Sequence, residues 1–531
     1  MINVKYYEQR SAYDADESKL ILPNLSFCKD TEEVFYNPKP HDYSQDYLTF
    51  VAEEDGTFSF NKKGTGDDIQ YSLDEGVTWT TLASETESPT VPAGGKIMFK
   101  AELTPGESYP NRGVGTVSST GTFTAQGNVM SLLYGDNFKG QTSLTGKNYA
   151  FYGLFSGSTK LTSVENMSLS ATTLAKGCYD YMFRGCTSLT TAPSLPATTL
   201  ADFCYDYMFQ DCTSLTTAPV LSATILTEYC YNGMFNGCTS LTTAPELPAT
   251  RLAQNCYGYM FRNCTSLTNA PVLPATALAT WCYVDMFRDC PSLTTAPSLP
   301  ATTLAYGCYK GMFNGCTSLT TAPSLPATTL DVECYRTMFS GCTSLTTVPE
   351  LPAETLANSA YTEMFASCTS LTTVPELPAT TLASNCYNSM FGNCTSLTTA
   401  PALSATTLAP YCCRYMFSGC TSLTTAPSLP ATTLADYCYS YMFMNCTSLT
   451  SAPELPATTL TENCYYSMFW GCAHLNKIIC LATDKSARNC TTNWVRGAAS
   501  TGTFIKADSM TGWTTGYSGI PSGWTVEDYQ P

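Results

Sequence analysis

The sequence predicts a solenoid of stacked 26-residue coils preceded by a small all-β sandwich, and three observations carry that expectation. Cysteines fall at 186, 212, 238, 264, 290, 316, 342, 368, 394, 420, 446 and 472, every step being 26 residues. A second cysteine series runs 178, 204, 230, 256, 282, 308, 334, 386, 412, 438 and 464, with Ala360 in its one vacant place. Ahead of the repeats, stretches such as LTFVAEEDGTFSF and IQYSLDEGVTWTTLA alternate apolar and polar residues between glycine-rich breaks. A fixed period of this size means that each unit buries its apolar face against the next. Period-two alternation with frequent turns means short strands.

Residues 1–45 read as a polar N-terminal arm, with two short strands around an acidic turn in residues 23–38. The opening MINVKYYEQRSAYDADESKL lacks the apolar run of a secretory signal, and no stretch of membrane-spanning length occurs. The expectation is a chain that stays in the cytoplasm, leaves it within a larger particle, or uses a nonclassical route. Residues 46–130 are expected to form the sandwich, of Ig-like kind. Within it, SLDEGVTW at residues 72–79 fits the Asp-box hairpin of sialidases. A propeller needs that box in several blades and this chain has one. A plain hairpin is therefore expected, with Asp74 bonded to backbone amides and Gly76 at positive φ.

Residues 131–480 are assigned to the solenoid, opening on a degenerate unit at residues 152–161 in which Ser158 replaces the cysteine. In one full unit, residues 212–238, the stretch 214–221 is Thr-rich, broken by Pro219, and reads as a short strand. The stretch 226–235 places Leu226, Cys230, Tyr231, Met234 and Phe235 on one helical stripe. The residue before the later cysteine is Gly, Asn or Asp in eleven of twelve units, which predicts a left-handed helix cap. Residues 481–531 leave the period and are expected to form a compact cap on Trp494, Trp513 and Trp524.

The recurring Met-Phe-x-x-Cys-x-x-Leu frame resembles the BspA-like, or Treponema pallidum-type, leucine-rich repeats over roughly residues 150–480. That resemblance implies a leucine-rich-repeat-type solenoid of short parallel strands plus short helices. The chain departs from the pattern in carrying Ala-Pro-x-Leu-Pro-Ala-Thr-Thr where such repeats usually have an aliphatic strand core. The layout of arm, YSLDEGVTW, LPATTL repeats and IPSGWTV ending is similar to proteins encoded by gut Bacteroides and their crAss-like phages. It implies adhesion at a bacterial surface or a fibre or decoration role on a virion.

Composition narrows the function. With 43 acidic and 26 basic residues the net charge is −17, and no basic stripe is present. Nucleic acid and anionic membrane surfaces are therefore excluded as partners, and no membrane insertion is expected. The 27 cysteines read as buried free thiols. C-x7-C is not a zinc spacing and His41 and His474 are the only histidines, so no metal site is expected. No catalytic constellation, phosphate loop or cofactor motif occurs, and the chain reads as non-enzymatic. Thr190 and its 26-residue repeats to Thr450 form a column, with another one residue on. Only one of the two should face outward, as a cross-strand ladder.

Two columns vary inside a nearly invariant frame. After Met-Phe stand Arg184, Gln210, Asn236, Arg262, Arg288, Asn314 and finally Trp470. After Cys-Tyr stand Asp180, Asp206, Lys310, Arg336 and Tyr466, with Arg414 after Cys413. Such variation predicts solvent-facing positions, the candidate binding face of a repeat protein. The expected function is recognition by a virion-associated fibre or decoration protein of a Bacteroides phage, assembled in the host cytoplasm. A bacterial cell-surface adhesin is the alternative. Expected partners are a host-surface protein or glycan along the solenoid and other virion proteins through the arm. A homo-oligomer such as a trimer is left open.

Overall fold

The computed structural model describes residues 41–530, and within the arm the backbone of three short strands. These are β1 (Lys5–Tyr6), β2 (Leu25–Cys28) and β3 (Glu33–Tyr36), in one antiparallel sheet. The β2–β3 pairing is the hairpin expected there, and its acidic turn lies outside the described residues.

The next region holds β4 (Leu48–Ala52), β5 (Phe58–Lys62), β6 (Thr65–Gly66), β7 (Ile69–Ser72), β8 (Thr80–Leu82), β9 (Lys96–Lys100), β10 (Leu103–Thr104), β11 (Gly115–Ser119) and β12 (Phe123–Asn128). One sheet runs β12-β4-β9-β7-β8, while β5 pairs with β11 in a second. The inward residues of the alternating strands meet between them. Phe50 lies 4.9–5.4 Å, ring to ring, from Phe58, Phe99 and Phe123. The β7–β8 turn is the expected hairpin. Asp74 accepts from the Thr78 amide at 2.8 Å and the Thr78 hydroxyl at 2.6 Å, and Gly76 sits at φ 89°. Those hydrogen bonds hold the Asp74 carboxyl down to about 2.

No gap separates this region from the repeats. Strand β12 pairs in parallel with β13 (Leu161–Ser163) and β14 (Met167–Ser168), which belong to the first coil. The sheet of the N-terminal region is thus also the first rung of the solenoid.

The repeats stack in register as expected, but the stretch predicted as helical is built otherwise. Among the described residues the only α-helix is the single turn Ser131–Tyr134, before the first coil. In each coil the helical stretch is instead a ribbon of overlapping turns. The amides of Cys178, Asp180, Met182, Arg184 and Cys186 bond the carbonyl three residues back, at 3.0–3.2 Å. The amides between them, of Gly177, Tyr179, Tyr181, Phe183 and Gly185, bond the next coil at 2.7–3.0 Å. Every fourth residue is left-handed: Gly177, Tyr181 and Gly185 have φ of 60°, 56° and 71°. Turns with a left-handed third residue therefore alternate with turns without one, which is the φ signature of alternating type II and type I turns.

This alternation explains the frame. The central pairs of the second kind of turn, Cys178-Tyr179 and Met182-Phe183, are fully buried. The central pairs of the first kind are less covered: Tyr181 and Gly185 are half-buried and Arg184 is exposed, while Asp180 is buried. The period is four residues. Phe183, Phe209, Phe235 and Phe261 stack down the core at 5.3–5.7 Å. Tyr179, Tyr205 and Tyr231 form a second buried stack at 5.7–5.8 Å.

The threonine side also differs from expectation. Thr242 and Thr243 are both exposed, as are Thr294 and Thr295. The rungs there are mostly single bridges, such as Thr243↔Asn269, so the strict in-and-out alternation of an extended strand does not apply. Hydroxyls of the first column turn back on the stack: Thr268 and Thr294 donate to the carbonyl of the preceding column member at 3.4 Å.

The 26-residue register also runs past the expected boundary at 480. Strands β15 (Ser451–Leu455), β16 (Lys477–Cys480), β17 (Thr503–Lys506) and β18 (Thr525–Asp528) form one parallel sheet, with Lys477 opposite Thr503. Asn489, Asn493 and Gly497 keep the three left-handed columns. The period is hidden in the sequence because Trp494 stands where Met468 stands one coil earlier. Trp513 closes over Trp494, stacked at 5.5 Å.

Candidate binding face

The surface of the turn ribbon is set by its left-handed columns. Glycine, Asn, Asp and Ser fill many of these places, as an αL backbone favours. Eleven others are aromatic: Tyr149, Tyr181, Phe203, Tyr207, Tyr229, Tyr259, Trp281, Tyr411, Tyr415, Tyr437 and Tyr441. All eleven are half-buried. Several stack from coil to coil, Phe203 on Tyr229 at 4.7 Å, Tyr411 on Tyr437 at 4.7 Å and Tyr415 on Tyr441 at 4.4 Å. The variable-column reading missed these residues. The recurrence of Gly177, Asn255, Gly307, Asn385 and Asn463 in the first column was a signal for them.

The residues expected on the face are placed unevenly. Arg184 and Trp470 are exposed, while Gln210, Arg262, Arg288, Asn314, Lys310, Arg336, Arg414 and Tyr466 are half-buried. Asp180, Asp206 and Asn236 are buried, so the expectation that they face solvent is corrected. Asp180 and Asp206 each precede a left-handed tyrosine, Tyr181 and Tyr207, whose rings stack at 5.4 Å, whereas Asn236 precedes the left-handed Gly237.

Several of the cations are already engaged. Lys310 and Arg336 both bind Glu333, at 2.7 and 2.5 Å. Arg288 lies between Asp285 and Asp289, at 3.6 and 3.4 Å. The Arg184 guanidinium lies 5.2 Å from the centre of the Tyr181 ring, and Arg414 lies 4.9 Å from that of Tyr415. The face is thus aromatic with cations lying over the rings, an arrangement that favours flat or electron-rich contacts.

The buried acids form a separate feature. Asp206 accepts from the Asn232 amide at 2.9 Å. One Asp180 oxygen is buried without a hydrogen-bond partner among the described residues. Burial, then the neighbouring Asp206 carboxylate, pushes Asp180 up to about 9, with Arg112 opposing. Burial likewise pushes Asp206 up to about 7. Among the described residues no cluster of His, Cys, Asp or Glu is arranged to hold a metal ion. No helix among them is long and apolar enough to cross a membrane.

A solved structure titled "Crystal structure of TLR13-ssRNA13 complex" is similar at 11% identity and a TM-score of 0.25, covering 66% of this chain. This chain spans about half of that one, 47% of its length. No curated protein matches the sequence. The family described as BspA type leucine rich repeat region, in six copies, matches residues 147–294, 283–426 and 402–490. Together these stretches run from the degenerate first unit to Cys490, more than half of the chain, and the chain belongs to the BspA-type leucine-rich repeat family.

Proposed function

We propose that this chain is a non-enzymatic recognition protein whose turn ribbon is the contact surface, carried on a Bacteroides phage virion as a fibre or decoration protein. One observation carries the reading. Eleven aromatic side chains occupy left-handed positions whose columns elsewhere hold small residues such as Gly, Asn and Ser. An αL backbone costs a bulky residue ~1–2 kcal/mol, so the fold alone does not account for them. Backbone strain of that kind concentrates where a surface is kept for contact. Rigid aromatics supply large contact area at low entropic cost. Membership of a repeat family whose members generally bind other molecules supports the same reading.

The virion placement rests on the similarity of layout to phage-encoded proteins. In it the arm joins other virion proteins and the solenoid meets a host-surface protein or glycan. Two measurements test the proposal. Labelled full-length chain should bind Bacteroides cells saturably, and a Tyr207→Ser, Trp281→Ser, Tyr415→Ser triple variant should lose at least tenfold. Mass spectrometry should find the chain in purified particles. Its recovery in bacterial envelopes and not in particles would establish the adhesin instead, and unchanged binding by the triple variant would remove the turn ribbon from the contact.

A further inference from the structure

At the C-terminal end of the ribbon lies a cleft of about 600 Å³, the size of a small-ligand site. Its walls include Trp470, Arg496, Gly497, Ser500, Tyr517 and Ser522. Trp470 is 37% exposed and Tyr517 64% exposed, so both rings offer open faces. Arg496 lies between them, 5.2 Å from the Trp470 ring and 5.8 Å from that of Tyr517. It makes no salt bridge among the described residues. In a chain with 43 acidic and 26 basic residues, no carboxylate lines this cleft and one cation does. The cleft at Asp67, Asp68, Glu102 and Asp136 shows the opposite balance.

A second, independent feature points to an anionic ligand. In every earlier coil, from Gly157 to Gly471, the amide of the third left-handed residue donates to the next coil at 2.6–2.9 Å. Gly497 is the last of that column at φ 86°, and the irregular chain that follows offers it no acceptor. Its amide has no partner among the described residues, and it lines the cleft beside Arg496. An exposed N–H that no protein group engages, next to a guanidinium without a salt bridge, can receive a carboxylate, since Arg pairs with carboxylates in forked geometry. The open aromatic faces match the C–H face of a pyranose ring, and the serine hydroxyls can meet ring hydroxyls.

We propose that this cleft binds a carboxylated sugar, a uronic-acid residue of a glycan. The carboxylate sits between the Arg496 guanidinium and the Gly497 amide, and the ring stacks on Trp470 or Tyr517. This deepens the recognition reading and rests on it. The test is calorimetric titration of the full chain with tetragalacturonate and with its fully methyl-esterified form. Saturable binding of the acid is expected, weakened at least tenfold by esterification, by Arg496→Gln and by Trp470→Ala. Arg496→Gln changes an exposed side chain and leaves the backbone bond from the Gly471 amide to the Arg496 carbonyl in place. Absence of saturable binding, equal binding of the ester, or full affinity in Arg496→Gln would each overturn the proposal. Cell binding that persists in the Arg496→Gln, Trp470→Ala double variant would leave the recognition reading standing with its contact elsewhere.

Discussion

A cysteine thiol is a weak donor, and one of the two cysteine ladders uses it as one. Each of the twelve thiols from Cys186 to Cys472 donates to a phenylalanine carbonyl of the preceding coil at 3.0–3.2 Å. The other ladder makes hardly any such bonds, and it is the one that tolerates Ala360. Cys394→Ala should therefore cost about 1 kcal/mol more than Cys386→Ala, the net worth of one hydrogen bond. Cys394→Ser should recover part of it. Urea titration of the three variants checks this, and equal losses would reduce both ladders to packing. The buried acids give a second residue-scale expectation. Below about pH 4 Asp180 and Asp206 are neutral whether the chain is folded or unfolded, and their contribution to stability is complete. As pH rises the unfolded chain ionises first, so stability falls until pH has passed about 7 for Asp206 and about 9 for Asp180. Asp180→Asn with Asp206→Asn should flatten that decline and gain about 1–3 kcal/mol at pH 8. Melting curves from pH 5 to 9 would show the slope, and identical slopes in both proteins would contradict it.

The turn ribbon demands a left-handed residue at every fourth position, and the chain meets that demand unequally. Thr337 is β-branched at φ 55°, a genuine outlier, while Gly311 holds the same place one coil earlier. Thr337→Gly should raise stability by about 1 kcal/mol. Gly311→Ala should lower it by at least as much, because its Cβ would run into the Asp285 carboxylate. Thermal denaturation compares the two, and a loss in Thr337→Gly would mean that the strain is absent. The same positions show what a sequence can disclose. The third left-handed column was legible because Gly, Asn and Asp crowd it, whereas Tyr, Phe and Trp disguise the other two. The ribbon itself passed for a helix because, over the eight residues from Cys178 to Cys186, periods of 3.6 and four differ by about 0.8 residue. The Asp74 hairpin was legible because its bonds are local. Variation among copies marked the ribbon, but the burial of Asp180 and Asp206 is a matter of packing between coils, which no single column reveals. Trp494 hid the final coil for the same reason: its register survives in φ while its side chains change.

At the scale of the whole molecule, each coil lends its amides to the next, so the two ends carry the cost of any missing neighbour. The N-terminal end is covered by β12, whose Phe123 and Gly127 amides donate to Lys160 and Asn166 at 3.0 and 3.1 Å. The Phe50 ring of the N-terminal region lies 5.8 Å from Phe155 in the first unit, so one apolar core crosses the junction. A cut between the two regions would leave an unpaired rung and open core, the condition that templates aggregation. A fragment of residues 147–531 should therefore melt at least about 5 °C below the full chain and self-associate on a sizing column. A fragment of residues 41–531 keeps β12 and should match the full chain in both measurements. If the shorter fragment instead ran as a monomer with an unchanged melting temperature, β12 would be a neighbour of the solenoid and not its first rung. The N-terminal region would then be a domain in its own right, free to be exchanged without cost to the repeats.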